Sequence, residues 1–260
     1  MFTDILGKWY EKIAIRAARL NLIRGYPDGT FKGDNFLTRA EGAAIAINIH
    51  DIEKYLVKEA HRAIVKITNM QDNSLGSGTH IGQGYILTND HVIGSPKSVM
   101  IEYFDDNKVT VSNATTVFSQ PNYDLAILRD TETKNHARKA LKLCPSGKVE
   151  QGQKVSCIGS PLGLSNTATF GHVSNDDRYV NYYGQGQNWK SKLYQVDAPI
   201  NPGNSGGACI NYKGELIGVP SAGIPGRDGL GFVIKVESIL EFIESAYDQE
   251  LNNVILGGLA

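Results

Sequence analysis

The sequence predicts a mainly β protein that is preceded by a small helical segment. From about residue 62 onward, a dozen short apolar runs alternate with turns rich in glycine, asparagine and proline. Residues 1 to about 60 show helical periodicity instead. The 28 glycines among 260 residues also exceed average usage and indicate turn-rich β structure. So many short strands in the remaining chain favour either a β-sandwich or a pair of β-barrels.

Composition and charge exclude several classes of protein. A hydrophobic fraction of 41% and a charged fraction of 20% are ordinary for a globular chain with a buried core. The formal net charge of −1 gives no indication of a nucleic-acid partner. No apolar stretch reaches the length of a transmembrane segment, and the N-terminus has no uninterrupted apolar core typical of a secretory signal. Three widely spaced cysteines predict no metal site or disulfide framework, and we expect no cofactor.

The N-terminal segment is predicted to form three helices. In KWYEKIAIRAARLNLI, apolar residues recur at helical spacing from Trp9 and Ile13, so this face is expected to be buried. The turn formers in GYPDGTF end that helix. Thr38, followed three residues later by Glu41, is a capping box that opens a second helix. The stretch DIEKYLVKEAHRA predicts a third helix that acts as a spacer, and VESILEFIESAYDQE predicts a closing helix after the strands.

The stretch DAPINPGNSGGACI places Ser205 among glycines directly before a predicted strand. Glycine permits a tight turn there, which serves either packing alone or the presentation of N–H groups and a hydroxyl to a bound carbonyl. A serine becomes a nucleophile only beside a neutral imidazole and donors for the oxyanion. All six histidines precede Ser205, which disfavours the serine, acid, histidine order of an α/β-hydrolase. The candidate bases are His50, His61, His80, His91, His136 and His172.

His91 and Asp124 are the strongest candidate partners of Ser205. His91 follows the predicted strand GYILTND where a loop begins, and Asp124 stands before an apolar run that would bury its carboxylate beside an imidazole. Taken singly, each residue has a structural explanation in a strand end or a turn. Their joint occurrence in the order histidine, acid, serine favours a catalytic triad.

Four separated blocks resemble the trypsin-like peptidases of the HtrA (Deg) group: GSGTHIGQGYILTNDHVI, YDLAILR, IGSPLGLSNTATFGHVS and DAPINPGNSGGACINYKGELIGV. The resemblance covers residues 62–249 and implies a chymotrypsin-like double β-barrel with the site in the cleft between the barrels. It implies that His91 is the general base, Asp124 the orienting acid and Ser205 the nucleophile.

The same resemblance implies an oxyanion hole and a substrate pocket. The hole would use the backbone N–H groups of Gly203 and Ser205, with Asn204 as a further candidate donor. No acidic residue lies just upstream of Ser205, where a trypsin carries its aspartate, so we expect small or medium aliphatic side chains rather than Lys or Arg. The implied pocket residues are Ile200, Ser221, Ala222, Gly223, Gly231 and Phe232. As an alternative, Ile200 and Phe232 are simply core residues.

The sequence departs from the HtrA pattern in several places. No PDZ domain is expected after the closing helix, because only a tail at residues 250–260 follows. The stretch NDDRYVNYYGQGQNWKSK occupies the region of the activation loops and is expected to be disordered without ligand. Cys157 and Cys209 are expected to oppose each other on antiparallel strands, either bridged or, as we favour, as two buried thiols.

The first 50 residues resemble one S-layer homology (SLH) motif through FTDILGKW, GYPDGTF and LTRAE. The resemblance implies contact with cell-wall polysaccharide through Trp9, Asp28, Arg39 and Glu41, although Trp9 also fits a core position and Asp28 a plain turn. Such motifs usually occur in threes, so a single copy implies a homotrimer or a packing role. The predicted organisation is an SLH-like motif at 1–50, a helical linker at 51–61 and a peptidase domain at 62–249.

Two functional hypotheses follow from these resemblances. The first is a serine endopeptidase that cleaves polypeptides through an acyl-enzyme and is tethered to the cell wall. The alternative is a catalytically dead, protease-like scaffold that binds wall polysaccharide, against which the intact His91, Asp124 and Ser205 argue. The SLH resemblance implies an extracellular or wall-associated location, while the lack of a recognisable signal leaves a cytoplasmic or virion-associated location open.

Overall fold

The computed structural model describes residues 2–19, 22–95, 97–105, 108–145, 149–178, 191–223 and 229–246. The chain divides into two compact units, Met1–Lys58 and Glu59–Ala260. Most of the predicted activation-loop stretch and all of the predicted C-terminal tail lie outside the described residues. No helix in the described ranges is both long enough and apolar enough to cross a membrane.

The N-terminal unit contains helix α1 (Glu11–Arg19), and helix α2 (Arg39–His61) begins within it. The prediction of two separate helices after residue 38 is wrong, since α2 is continuous over 23 residues. No glycine or proline interrupts the chain at the predicted boundary near residue 50, so the backbone hydrogen bonds of the helix continue through it.

The buried face of the N-terminal unit also differs from the predicted one. Trp9 is 83% exposed and Ile13 is exposed as well, whereas Tyr10 and Ala14 are buried together with Ile5. Tyr10 and Ala14 are four residues apart and so share one face, and this buried face is shifted by one residue from the predicted face. The prediction that Trp9 is a core residue is therefore wrong.

The predicted capping box at the start of α2 is confirmed. The Thr38 N–H donates to Glu41 Oε2 at 2.8 Å, and the Glu41 N–H donates to Thr38 Oγ1 at 3.1 Å. These reciprocal bonds satisfy backbone donors that the first turn of a helix leaves without partners.

The larger unit contains two closed, six-stranded antiparallel barrels in its described part. The first has the strand order β1-β2-β3-β6-β5-β4 and the second β10-β11-β12-β9-β8-β7. The fold prediction is confirmed in its double-barrel form, and the alternative of a sandwich is excluded by the closing pairs β1·β4 and β10·β7. The strands of the first barrel are β1 (Ile64–Thr68), β2 (Leu75–Gly82), β3 (Tyr85–Thr88), β4 (Ser98–Asp105), β5 (Lys108–Gln120) and β6 (Leu125–Asp130). Those of the second are β7 (Lys154–Gly159), β8 (Thr167–Arg178), β9 (Leu193–Val196), β10 (Ala208–Asn211), β11 (Leu216–Gly223) and β12 (Gly231–Lys235).

Short helical elements complete this unit. Helix α3 (Asp90–Ile93) follows β3, and helix α4 (Val236–Ser245) follows β12 as predicted. Single 3₁₀ turns lie at Thr133–Asn135 and Pro161–Gly163. Each barrel has its own close-packed apolar interior and is therefore rigid. The loops between the strands are anchored on these two rigid barrels.

Two cysteines face each other across the closing strand pair of the second barrel. Cys157 and Cys209 are directly opposite in the β7·β10 register, and their Sγ atoms lie 3.4 Å apart. Both are free and buried. Burial raises the pKa of the Cys209 thiol well above its ordinary value, and the neighbouring Cys157 raises it further. The favoured prediction of two opposed, buried thiols is confirmed.

Candidate active site

His91 and Asp124 meet at one end of the first barrel. His91 is the second residue of α3, and Asp124 immediately precedes β6. His91 Nδ1 lies 2.8 Å from Asp124 Oδ1 and 2.9 Å from Oδ2. The His91 N–H also donates to Asp124 Oδ1 at 3.1 Å. Because a carboxylate only accepts, the proton of the neutral imidazole resides on Nδ1, which leaves Nε2 as a proton acceptor.

The two side chains differ in their exposure to water. The Asp124 side chain is buried, whereas half of the His91 side chain is exposed. Burial lowers the pKa of His91, but the hydrogen bond and charge of Asp124, together with the charge of Asp90, more than offset it, and the net pKa is raised. The imidazole therefore has a stabilised protonated form while one nitrogen remains accessible.

Ser221 on β11 connects the two barrels at this point. Its Oγ donates to Asp124 Oδ2 at 2.6 Å, and its carbonyl oxygen accepts a hydrogen bond from Ser205 Oγ at 3.0 Å. Among the described residues, Ser205 Oγ makes no hydrogen bond to His91. Proton transfer to His91 Nε2 therefore requires the Ser205 hydroxyl to leave the Ser221 carbonyl.

The turn around Ser205 depends on glycine for conformation and for space. Gly203 and Gly206 have φ values of +100° and +84°, which strain residues with a side chain. A Cβ on Gly203 would lie 2.5 Å from the Ser160 carbonyl oxygen, and one on Gly206 would lie 2.1 Å from the Ser77 carbonyl oxygen. Ser77 on β2 in turn donates its N–H to the Ser205 carbonyl at 2.8 Å. The first barrel thus fixes the turn that carries Ser205.

The backbone N–H groups of this turn are not equivalent. The Asn204 N–H donates to the Asn201 carbonyl at 2.9 Å, so it is already engaged. Within the described ranges, the N–H groups of Gly203 and Ser205 donate to no protein acceptor. The Asn204 N–H is therefore unavailable as an oxyanion donor, contrary to the prediction. The predicted N–H donors of Gly203 and Ser205 remain available.

Three of the predicted pocket residues lie together on the β11–β12 side of the turn. Gly223 and Gly231 are paired across the two strands. A Cβ on Gly231 would lie 2.8 Å from Ile200 Cδ1, so the Ile200 side chain occupies the space beside this glycine. A Cβ on Gly223 would likewise lie 2.8 Å from the Ile200 carbonyl oxygen. These contacts place an aliphatic side chain and two glycines at one site.

The other predicted pocket residues have different surroundings. Phe232 is buried, which fits the alternative that it is a core residue. Ser221, predicted to line the pocket, instead directs its hydroxyl to Asp124. Ala222 pairs through its backbone with Phe232, and its side chain lies outside the described ones.

Three other candidate histidines are engaged elsewhere. His80 is buried, with Nδ1 at 2.9 Å from the Lys139 carbonyl, and its Nε2 accepts the Gly84 N–H at 3.0 Å. His136 Nε2 bonds to a backbone carbonyl, and the His172 imidazole faces Asp197 on the second barrel. The imidazoles of His80 and His136 therefore bond to backbone groups of the first barrel and the loops that follow its strands, rather than to Ser205.

The four predicted polysaccharide contacts fall into two pairs. Asp28 accepts hydrogen bonds from the Thr30 N–H and hydroxyl, which lower its pKa to about 2. Hydrogen bonds from Tyr26 and Thr38 likewise lower the pKa of Glu41 to about 2. The Asp28 carboxylate therefore stabilises the loop that contains Thr30, and the Glu41 carboxylate stabilises the start of α2. The other pair, Trp9 and Arg39, is exposed.

Residues 76–219 match the family described as Trypsin-like peptidase domain, which is more than half of the chain. The chain belongs to the trypsin-like peptidase family. Residues 2–43 match the S-layer homology domain, as the N-terminal blocks predicted.

Similar proteins place this trypsin-like peptidase near the HtrA group. The chain is 34% identical to "Serine protease HtrA-like" of Staphylococcus haemolyticus, over 80% of this chain and 34% of that protein. It is 33% identical to "Serine protease Do-like HtrA" of Bacillus subtilis, over 73% of this chain and 47% of that protein. A solved HtrA-type protease with a tripeptide matches with 32% identity and a TM-score of 0.65, over 75% of this chain and 63% of that one. The chain thus spans about a third to a half of the length of these two curated relatives.

Ser221 was predicted as a pocket residue, but its hydrogen bonds to Asp124 and Ser205 were not predicted from the sequence. Ser221 binds both Asp124 and Ser205, yet it lies 97 residues after Asp124 in the chain. No local pattern marks a serine in a strand as the partner of a distant carboxylate. The HtrA resemblance marks Ser221 as a pocket residue, and its place shortly after GELIGV puts it on a strand, but neither signal indicates a bond to Asp124.

Proposed function

We propose that the protein is a serine endopeptidase that cleaves polypeptides through an acyl-enzyme formed on Ser205. The observation that carries this proposal is the hydrogen-bonded row Ser221–Asp124–His91, whose Ser221 carbonyl also accepts from Ser205 Oγ. The N–H groups of Gly203 and Ser205 beside it meet no acceptor among the described residues. Family membership and the serine proteases among the similar proteins support the same activity.

The chemistry follows from the protonation states of these groups. His91 Nε2 accepts the Ser205 proton while Oγ attacks the scissile carbonyl carbon, and the buried Asp124 stabilises the imidazolium that forms. The carbonyl oxygen becomes an oxyanion that accepts hydrogen bonds from the Gly203 and Ser205 N–H groups. The imidazolium then gives its proton to the leaving amine, the C–N bond breaks, and water hydrolyses the ester that remains on Ser205.

The environment of the pocket supports a preference for small or medium aliphatic side chains. Ile200 lies against Gly231 and close to Gly223, and neither partner adds a charge. With these described residues, a lysine or arginine side chain would lose hydration without gaining an ion pair, which is costly. Aliphatic residues before the scissile bond are therefore the proposed substrates.

Covalent labelling tests this function directly. A fluorophosphonate probe is expected to modify the folded protein at Ser205 and at no other serine, because only an activated hydroxyl attacks phosphorus at a useful rate. The modified peptide is identified by mass spectrometry after digestion, and Ser205→Ala is the unlabelled control. A folded protein that leaves Ser205 unmodified at pH 8 would instead favour the catalytically dead scaffold.

We also propose that the N-terminal unit attaches the peptidase to cell-wall polysaccharide, with the homotrimer implied by a single SLH motif as part of this proposal. The match to the S-layer homology domain and the exposure of Trp9 and Arg39 support it. An exposed indole and a guanidinium are groups that stack on sugar rings and bind anionic substituents.

Sedimentation with purified cell wall tests the attachment. Arg39→Ala is expected to weaken binding by about ten- to a hundredfold, since one charged hydrogen bond is worth roughly 1.5–3 kcal/mol. Lys54→Ala on the same helix α2 removes the same charge and is the matched control, expected to retain full binding. Equal loss of binding in both variants would show that the interaction is nonspecific electrostatic attraction. Unchanged binding of Arg39→Ala would contradict the proposal.

A further inference from the structure

A second carboxylate lies beside the pair His91 and Asp124. Asp90 directly precedes His91 as the first residue of α3, and it is half-buried. Ser119 Oγ donates a hydrogen bond to Asp90 Oδ1. The proposed mechanism uses Asp124 but gives Asp90 no role. Because a carboxylate that is partly removed from water costs free energy, the presence of Asp90 at this position calls for an explanation.

Three consecutive residues attach α3 to the hairpin formed by β5 and β6. Asn89 Nδ2 donates to the Asp124 carbonyl at 2.8 Å, and the His91 N–H donates to Asp124 Oδ1 at 3.1 Å. Between them, Asp90 accepts from Ser119 near the end of β5. Two of these anchors use Asp124, whereas the Asp90 anchor is independent of it. The position of the His91 imidazole therefore depends on both sides of the β5–β6 turn.

Stabilisation of the helix does not by itself account for Asp90. An acidic residue in the first turn interacts favourably with a helix dipole, but α3 contains only the four residues Asp90–Ile93. So short a helix has a single turn and is not stable alone. The Asn89 side chain makes no capping bond to α3 and bonds to Asp124 instead. The bonds to the β5–β6 hairpin therefore hold α3 in place.

The charge of Asp90 is not neutralised by a lysine or arginine among the described residues. The charged groups that act on its carboxyl are Asp124 and His91. Burial raises the pKa of Asp90, the Ser119 bond lowers it, the Asp124 charge raises it and the His91 charge lowers it. A hydroxyl that donates to a carboxylate favours the ionised form. Ser119 thus helps to keep a negative charge next to His91.

The imidazole of His91 is influenced by both carboxylates. Burial lowers the pKa of His91, and the hydrogen bond and charge of Asp124 and the charge of Asp90 raise it. The strands β2 and β6 also pack against α3, and β5 meets it through Ser119. The titratable side chains of these three strands lie toward their opposite ends: His80, Lys108, Arg129 and Asp130.

We propose that Asp90 is a positioning residue whose carboxylate, held by Ser119, stabilises the protonated form of His91 during acylation. This inference rests on the proposed acyl-enzyme mechanism and adds a second carboxylate to it. Asp124 fixes the tautomer through direct contact, whereas Asp90 fixes the start of α3 and contributes charge. Because the Ser205 proton moves to His91 in the transition state, a nearby negative charge lowers the barrier.

Asp90→Asn removes the charge and keeps an oxygen that accepts the Ser119 bond. On the alkaline plateau, kcat/KM is expected to fall by about two- to fivefold, the size of an interaction between partly exposed charges. Below the pKa of His91 the two profiles are expected to converge, because the less basic imidazole of the variant stays neutral to lower pH. Structural damage alone lowers the rate by one factor at every pH, and such a parallel profile would overturn the proposal.

Glu132→Gln is the matched control for the loss of one negative charge. Glu132 lies beyond the end of β6 that is opposite to Asp124, and half of its side chain is exposed. The control is expected to keep the wild-type pH profile. If Glu132→Gln changes the profile as Asp90→Asn does, net charge alone explains the effect and the proposal is wrong.

An NMR titration of His91 separates this inference from the proposed function. It is carried out in Ser205→Ala, which cannot degrade itself through Ser205, with and without Asp90→Asn, and His91→Gln assigns the signal. The pKa of His91 is expected to be lower in the protein that also carries Asp90→Asn, and an equal pKa would overturn the inference. If the pKa differs as expected but the wild type reacts with neither peptide nor fluorophosphonate, the proposed function fails while the interaction of Asp90 with His91 stands.

Discussion

Replacing Asp124 with asparagine is expected to lower kcat by about 10⁴-fold while leaving the fold intact, as in triads that lose their acid. Asparagine has nearly the same shape and tolerates the φ of +52° at this position. Its amide can donate to His91 Nδ1, which would leave the proton on Nε2. An imidazole in that tautomer cannot accept the Ser205 proton, so acylation slows although every side chain remains in place.

The same variant is expected to change the pH dependence. In the wild type, Asp124 helps to raise the pKa of His91, so kcat/KM falls as the pH decreases through this raised pKa and is maximal above it. Without the Asp124 charge the pKa of His91 is lower, and the acidic limb of residual activity moves to lower pH. Initial rates between about pH 4 and 9, with thermal unfolding as a check on folding, measure both effects.

Asp130→Asn is a matched control for the loss of a buried carboxylate. Asp130 accepts hydrogen bonds from Tyr103, Ser112 and Asn135 inside the first barrel. Its replacement is expected to lower the unfolding midpoint while the folded fraction keeps its kcat. If Asp124→Asn shows the same pattern, with a normal kcat per folded molecule, the assigned role of Asp124 is wrong.

Replacing Gly206 with alanine is expected to cost about 2–5 kcal/mol of unfolding free energy, the sum of a left-handed conformation and overpacking. The added Cβ would lie 2.1 Å from the Ser77 carbonyl oxygen and 2.2 Å from Thr88 Oγ1. The turn has to move, and Ser205 moves with it. Activity should therefore fall by at least about 10²-fold, the effect of losing one oxyanion donor.

Gly152→Ala separates these two costs. Gly152 has nearly the same φ, +85°, but no atom lies within 4 Å of its added Cβ. It is expected to lose roughly 1–2 kcal/mol through backbone strain and to retain full activity. Denaturant unfolding and peptide hydrolysis of both variants measure the difference. Equal destabilisation would show that the close approach of Ser77 to Gly206 is unimportant.

Local patterns predicted the elements whose residues act on their near neighbours. The alternation of short apolar runs with turns predicted the strands, and Thr38 and Glu41 predicted the start of α2 because both partners lie within one helical turn. The prediction failed where periodicity had to identify a buried face. Trp9 and Ile13 share the spacing of an apolar stripe, but Tyr10 and Ala14, each one position further along the chain, pack inward instead.

The sequence by itself determined which segments form strands and the chain order of His91, Asp124 and Ser205, because burial and turn formation leave periodic and local signals. Only the tertiary structure decided that Ser221 binds both Asp124 and Ser205, and that the Asn204 N–H is engaged while those of Gly203 and Ser205 meet no protein acceptor among the described residues. The Asn204–Asn201 bond spans only three residues, but it depends on a turn conformation that the glycines permit without dictating. The Ser221–Asp124 bond joins segments 97 residues apart and depends on how the two barrels bring their loops together. No pattern within a single segment records that distance.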